Sequence, residues 1–179
     1  MNAAHSALRT GTRAEHEALD TLFARFDLAE RDSYARFLAA HAECVLPLEA
    51  ALDAAGAAQL VEDWPERRRG DALLDDLSRL DCMLPVLDQM QVAGTSEIAG
   101  TLYVLEGSRL GGRFLARRVP DNLPSNYLDL HQSPDKWRTL LAKLDSLLYQ
   151  PAELSNAVAV ARSVFRRFDA AGRRWLAKE

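Results

Sequence analysis

Residues 103–113 read YVLEGSRLGGR, a segment whose apolar positions, Tyr103, Leu105 and Leu110 with Phe114 just beyond, fall at helical spacing. The same segment holds three glycines, Gly107, Gly111 and Gly112. Each glycine inside a helix costs roughly 1 kcal/mol against alanine. A single interior glycine commonly lets a second helix come close. Three within six residues, with Ser108 beside them, favour a flat ligand laid against exposed backbone, because a residue without a side chain permits close approach and local bending.

Outward from this segment the dominant period stays helical. Thr10 to Ala29 carries Ala14, Leu19, Leu22, Phe23 and Phe26 as an amphipathic stripe. The stretch from Arg31 repeats Tyr34, Phe37, Leu38, His41, Val45, Leu48 and Leu52, then stops at Gly56. RGDALLDDLSRLDCMLPVL predicts two shorter helical pieces, with Pro85 starting or kinking the second. Ser96 is the expected N-cap of the glycine helix, with Glu97 in its first turn. Ser133 followed by Pro134 predicts another helix start, and Ala152 to Ala177 forms a last long amphipathic segment. No alternating strand, repeat or long linker interrupts this pattern. The expectation is one all-α domain, residues 1–179, of about seven helices packed ridge into groove.

Composition sets the outer bounds. The chain has 179 residues, 48% hydrophobic and 27% charged, with a net charge of −4. Such a balance belongs to a globular protein and argues against a nucleic-acid binder. No apolar run approaches the roughly 20 residues of a spanning helix, and MNAAHSALRTGTR lacks the apolar core of a signal peptide, so the expected address is cytoplasmic. Cys44 and Cys82 lack metal-ligand spacing and read as free thiols.

A second signal lies in LRTGTRAEHEALD, residues 8–20. Asp20 is four residues after His16, so its carboxylate can accept the proton of one ring nitrogen and leave the other neutral and directed outward, as a metal-ligating histidine requires. Arg9 and Arg13, upstream at helical spacing, can hold anionic groups of the same ligand.

LRTGTRAEH resembles the L-x-x-x-T-x-x-x-H signature of the heme oxygenase family, and YVLEGSRLGGRFLARR resembles the distal helix of its bacterial branch. The likeness extends to YARFLAAHAECVLPLEAAL and ARSVFRRFDA. It implies an all-α fold that clamps heme between a proximal and a distal helix, with His16 as the axial iron ligand. Gly107 and Gly111 would lay backbone over the distal face, and Gly112 continues the motif. Arg9 and Tyr103 match positions that contact heme propionates, and Arg162, Phe165 and Arg166 lie on a terminal helix that supplies further basic and aromatic contacts. Mammalian members carry an aspartate after the first glycine. This chain has Ser108, so pocket water must be organised by Ser108, main-chain groups or something more distant.

The implied reaction converts heme and dioxygen to biliverdin, ferrous iron and carbon monoxide. Electrons come from an external ferredoxin or flavin-dependent reductase, and a phytochrome is one acceptor of the product. No protein nucleophile is needed, in keeping with the lack of a triad-like constellation. Two rivals differ in class. A non-heme diiron oxidase would need paired Glu-x-x-His motifs, and Glu15, Glu43, Glu49 and Glu106 form no such set. A heme-binding or heme-sensing protein without turnover would keep His16, and Ser108 is the feature that sustains that alternative. Elsewhere, His41 reads as a hydrogen-bonded core histidine, His5 as part of a frayed terminus, His131 as a loop residue, Met83 and Met90 as core fillers, and ERRRGD as a solvated helix entrance.

Overall fold

A computed structural model describes residues 3–130 and 133–178, and every regular element within them is helical. The elements are α1 (Ala3–Phe23), α2 (Arg31–Ala54), α3 (Ala57–Leu60), α4 (Trp64–Arg67), α5 (Gly70–Arg79), α6 (Gly94–Ala116), α7 (Asn126–Asp129), α8 (Pro134–Leu147) and α9 (Pro151–Leu176). Three of them, α3, α4 and α7, are single turns of four residues. The all-α expectation holds, with six longer helices and three short turns in place of about seven helices. His131 lies outside the described residues.

The arrangement turns on α9, which packs along α1, α2 and α6. Its stripe of Ala157, Ala161, Val164, Phe165, Phe168 and Ala171 is buried, as helical amphipathicity requires of a helix facing a core. Small residues mark the tight crossing with α6, where a side chain on Gly100 would run into the Ala157 carbonyl oxygen. α2 is buried through most of its length, from Ser33 to Leu52. Its start is capped by Glu30, whose carboxylate accepts the amides of Asp32 at 2.9 Å and Ser33 at 2.5 Å. Gly56, with φ of 76°, follows its end. At α8 the expected cap is present: Ser133 Oγ accepts the Lys136 amide at 3.1 Å, with Pro134 at the first helical position.

Several local expectations are corrected. α6 begins at Gly94 with Ala93 as its N-cap residue, and Glu97 reaches back to accept the Ala93 amide at 2.9 Å. Ser96 lies inside the helix and donates its hydroxyl to Glu153 of α9. No second helical piece follows α5, because residues 82–93 are irregular. Pro85 supplies no amide and disfavours helical geometry before it. Met83 and Val86 there are 85% and 90% exposed, so Met83 fills no core. His5 is part of α1, with its ring edge-on to Trp137 at 6.2 Å.

ERRRGD departs most from expectation. Arg67 and Arg69 are buried at 1% and 5% exposure. Buried guanidinium groups need partners, and these lie on α6, about forty residues downstream.

Candidate functional site

α1 and α6 meet around Tyr103. Thr12 of α1 stands beside its hydroxyl, and its ring lies 5.9 Å from Trp137 and 6.4 Å from His5. One helical turn beyond Thr12 on α1 comes His16, and one turn beyond Tyr103 on α6 comes Gly107. The Tyr103 phenol is raised above its usual range, chiefly by burial.

His16 stands on the outside of α1 with 58% of its side chain exposed. Its Nδ1 lies 3.0 Å from Asp20 Oδ2, the contact expected from the i, i+4 spacing. A carboxylate accepting from Nδ1 fixes the ring's orientation and leaves Nε2 as the free nitrogen. The edge of the His16 ring meets Phe165 of α9, centroids 5.7 Å apart. Arg9 and Arg13 are exposed on the same helix; Arg13 lies 3.8 Å from Glu17, whereas no carboxylate pairs with Arg9 among the described residues.

Arg162 and Arg166 of α9 pair with the residue that precedes His16. Arg162 donates to Glu15 at 2.7 Å, Arg166 approaches it at 3.5 Å, and the Arg162 bond holds the Glu15 carboxyl below its usual range. Glu15 precedes His16, so these arginines fasten α1 to α9 beside the histidine.

The glycines of α6 divide by direction. A side chain at Gly111 would meet nothing within 4 Å, and one at Gly107 would meet only the far edge of Trp137, 3.6 Å away. Gly112 points the other way, where a Cβ would lie 2.9 Å from the Leu128 carbonyl oxygen of α7. Gly112, which continues the glycine motif, is thus packed against α7. Gly107 and Gly111 share their open side with Ser108 and with Leu110 and Phe114, which are 51% and 68% exposed. Exposed large apolar side chains grouped on one face mark a ligand surface more often than chance.

Ser108 has a partner the sequence did not reveal. Its hydroxyl donates to the Leu105 carbonyl at 2.7 Å and accepts from Arg69 Nη2 at 2.8 Å. The same Arg69 nitrogen donates to the Leu105 carbonyl at 2.9 Å, and the guanidinium lies over the Tyr127 ring at 4.8 Å. Behind it, Glu49 accepts the amides of Arg69 at 2.7 Å and Gly70 at 3.0 Å. A buried cation thus stands behind Ser108. The missed signal was Glu49, a carboxylate on the apolar face of α2, which required a buried donor.

The glutamates weighed for a diiron centre are committed elsewhere. Glu106 binds Arg67 and Arg109, Glu15 binds Arg162, Glu43 binds Arg174 and Trp175, and Glu49 binds backbone amides. His41 is hydrogen-bonded as expected, Nδ1 to the Phe37 carbonyl at 2.9 Å, and burial pushes it down to about 4. Among the described residues no helix is long and apolar enough to cross a membrane.

Comparisons with known proteins place the chain in a family. The heme oxygenase family model matches residues 2–173. A heme oxygenase of Xanthomonas campestris is 33% identical over 147 residues, covering 78% of this chain and 88% of that protein. The heme oxygenase PigA of Pseudomonas aeruginosa is 30% identical over 179 residues, covering 94% of this chain and 90% of that protein. In fold, the chain is similar to the NO- and CO-bound heme oxygenase of Neisseria meningitidis, with a TM-score of 0.84 at 22% identity over 99% of this chain and 93% of that one. It is also similar to the Leptospira interrogans enzyme, at TM-score 0.74 and 21% identity over 97% and 100% of the two chains. With a family match over nearly its whole length and a relative 33% identical that covers most of both chains, the chain belongs to the heme oxygenase family.

Proposed function

We propose that this chain cleaves heme to biliverdin, ferrous iron and carbon monoxide, with His16 as the axial ligand and the backbone of Gly107 and Gly111 over the opposite face. The carrying observation is the pairing of chemistries: an exposed imidazole oriented through Nδ1 by Asp20, and a helix face where Gly111 leaves open space. Bound heme supplies the iron that takes up dioxygen and the porphyrin that is oxidised; a neutral histidine ligand pushes less electron density toward the iron than a thiolate does. The protein's part is placement. Asp20 holds His16 in one tautomer. Gly107 and Gly111 bring main chain close to the substrate, and Leu110 and Phe114 shield its apolar surface. Arg9, which has no carboxylate partner among the described residues, is the cation offered to a propionate, with Tyr103 beside it and Arg13 a turn further along. Ser108, held by Arg69 at 2.8 Å, is the polar group that positions water in place of an aspartate.

The same reading takes residues 1–179 as one domain, supported by a hydrophobic cluster that runs from Ala4 to Ala171. Electrons arrive from an external ferredoxin or flavin-dependent reductase, for which the exposed Arg113, Arg117 and Arg118 beside the open face offer an attractive surface to an acidic partner. A phytochrome is one acceptor of the released biliverdin, and the cytoplasm is the proposed compartment. The alternative, a heme-binding sensor without turnover, separates in a single experiment. Hemin is added to the purified chain, the Soret band is followed, and ascorbate or a reductase is then supplied. Binding followed by biliverdin absorption is expected for the parent, and His16→Ala should abolish or grossly alter the Soret band. Stable heme after reduction in air would favour the sensor. An unchanged spectrum in His16→Ala would remove His16 as the ligand.

A further inference from the structure

Behind the glycine face of α6 lies a buried charge cluster that the proposed chemistry does not use. Glu106, immediately before Gly107, is 1% exposed and accepts from Arg67 Nη1 at 2.7 Å and Arg109 Nη1 at 3.2 Å. The remaining nitrogens reach other elements. Arg67 Nε donates to Asp63 at 2.7 Å, and Nη2 to the Lys136 carbonyl at 3.2 Å. Arg109 donates to the Arg67 carbonyl at 2.9 Å through Nη1 and to the Leu130 carbonyl at 3.1 Å through Nε. The glycine turn is thereby tied to α4, to the segment after α7 and to the first turn of α8.

Stability alone is a weak reason for such a cluster. Removing charges from water offsets most of their attraction, and well-packed apolar replacements of buried ion groups are often neutral or stabilising. What the cluster supplies is directionality: planar guanidinium groups bonded at several atoms fix distance and angle where apolar packing tolerates sliding. The need is local, since Gly107 and Gly111 have almost nothing packed on their open side and weaken the helix that bears them.

We infer that Arg67, Glu106 and Arg109 are positioning residues that set the place of the Gly107–Gly111 backbone over the substrate, and through it which edge of the porphyrin is oxidised. The inference rests on the heme-cleavage reading above. The test compares Glu106→Gln, which keeps shape and removes the shared charge, with Asp63→Asn, which removes a carboxylate from the side of Arg67 away from α6. Two readouts are taken: amide hydrogen exchange along α6 in the heme-free chain, and the ratio of biliverdin isomers formed with hemin and reductant. Glu106→Gln should speed exchange at residues 107–112 about tenfold over the parent. It should also raise the minor isomers about threefold, since small misplacements near the reacting atoms have large kinetic effects. Asp63→Asn should lower the melting temperature and leave the isomer ratio unchanged. If Glu106→Gln does not fold, Arg109→Lys replaces it, keeping the charge and losing the fork that spans Glu106, Arg67 and Leu130. Uniform faster exchange across the chain with an unchanged isomer ratio would overturn the inference. Absence of biliverdin from the parent itself would instead overturn the heme-cleavage reading, and the exchange comparison would still decide whether the cluster holds the glycine turn.

Discussion

The two halves of α6 use glycine for opposite purposes. In the first half, Gly100 sits where the helix crosses α9, and any side chain would strike the Ala157 carbonyl oxygen. In the second half, Gly111 faces open space and Gly107 nearly so. The residue and the helix are the same, yet one site lacks a side chain where a neighbour is present and the other where space is open, which the proposed function gives to a ligand. Glycine in a helix therefore acquires a meaning only from what lies opposite it. Gly112, one residue from Gly111, belongs with Gly100 because it points at Leu128.

Substitution breaks or sharpens this contrast. The largest effect is expected at the crossing: Gly100→Leu should destabilise the heme-free chain by about 3 kcal/mol or more, read as a lower melting temperature, because the clash is with backbone that cannot rotate away. Gly112→Ala should follow the same sign with a smaller loss. Equal melting of Gly100→Leu and the parent would refute the crossing.

A second effect concerns acid and falls on the packed side. His41 is ringed by Phe23, Phe37, Tyr127 and Phe168, and burial lowers it from 6.5 to about 4. The folded chain therefore refuses a proton that the unfolded chain accepts between those values. Stability is lost as pH falls from about 6.5 toward 4, at up to about 1.4 kcal/mol per pH unit, while His41 has no effect above that window. Denaturant melts across pH should show this slope, and His41→Phe should flatten it. A slope that survives His41→Phe would assign the acid sensitivity elsewhere.

The smallest effect has the opposite sign. Gly111→Ala adds a methyl to open space and removes a helix-weakening residue, so the heme-free chain should gain up to about 1 kcal/mol. A loss would place an unseen neighbour over Gly111.

Much of this was legible in the sequence. Helical periodicity gave the long helices, Ser133–Pro134 marked a start, and the i, i+4 spacing of His16 and Asp20 became a 3.0 Å contact. What escaped depended on long-range pairing. ERRRGD looked solvated because its partners Glu106 and Ser108 are about forty residues away, and a local charge run carries no mark of burial. The split among the glycines escaped for the same reason, since Gly111 and Gly112 differ only in direction, set by where α7 lies. The pairing of Arg162 with Glu15, 147 residues apart, likewise carries no local mark. The irregular stretch after α5 has apolar residues at plausible spacing, yet only Cys82, Met90 and Val92 pack against the core while Met83, Leu84, Val86 and Leu87 stay exposed, so composition alone misled.

The most direct test of the central claim pairs two measurements on Gly111→Leu, namely melting of the heme-free chain and biliverdin yield after hemin and reductant are supplied. A branched side chain there enters vacant space in the absence of heme and obstructs the substrate's face in its presence. The account expects a melting temperature close to the parent's and a large loss of biliverdin. A marked fall in melting temperature, with normal biliverdin yield from the fraction that remains folded, would contradict it.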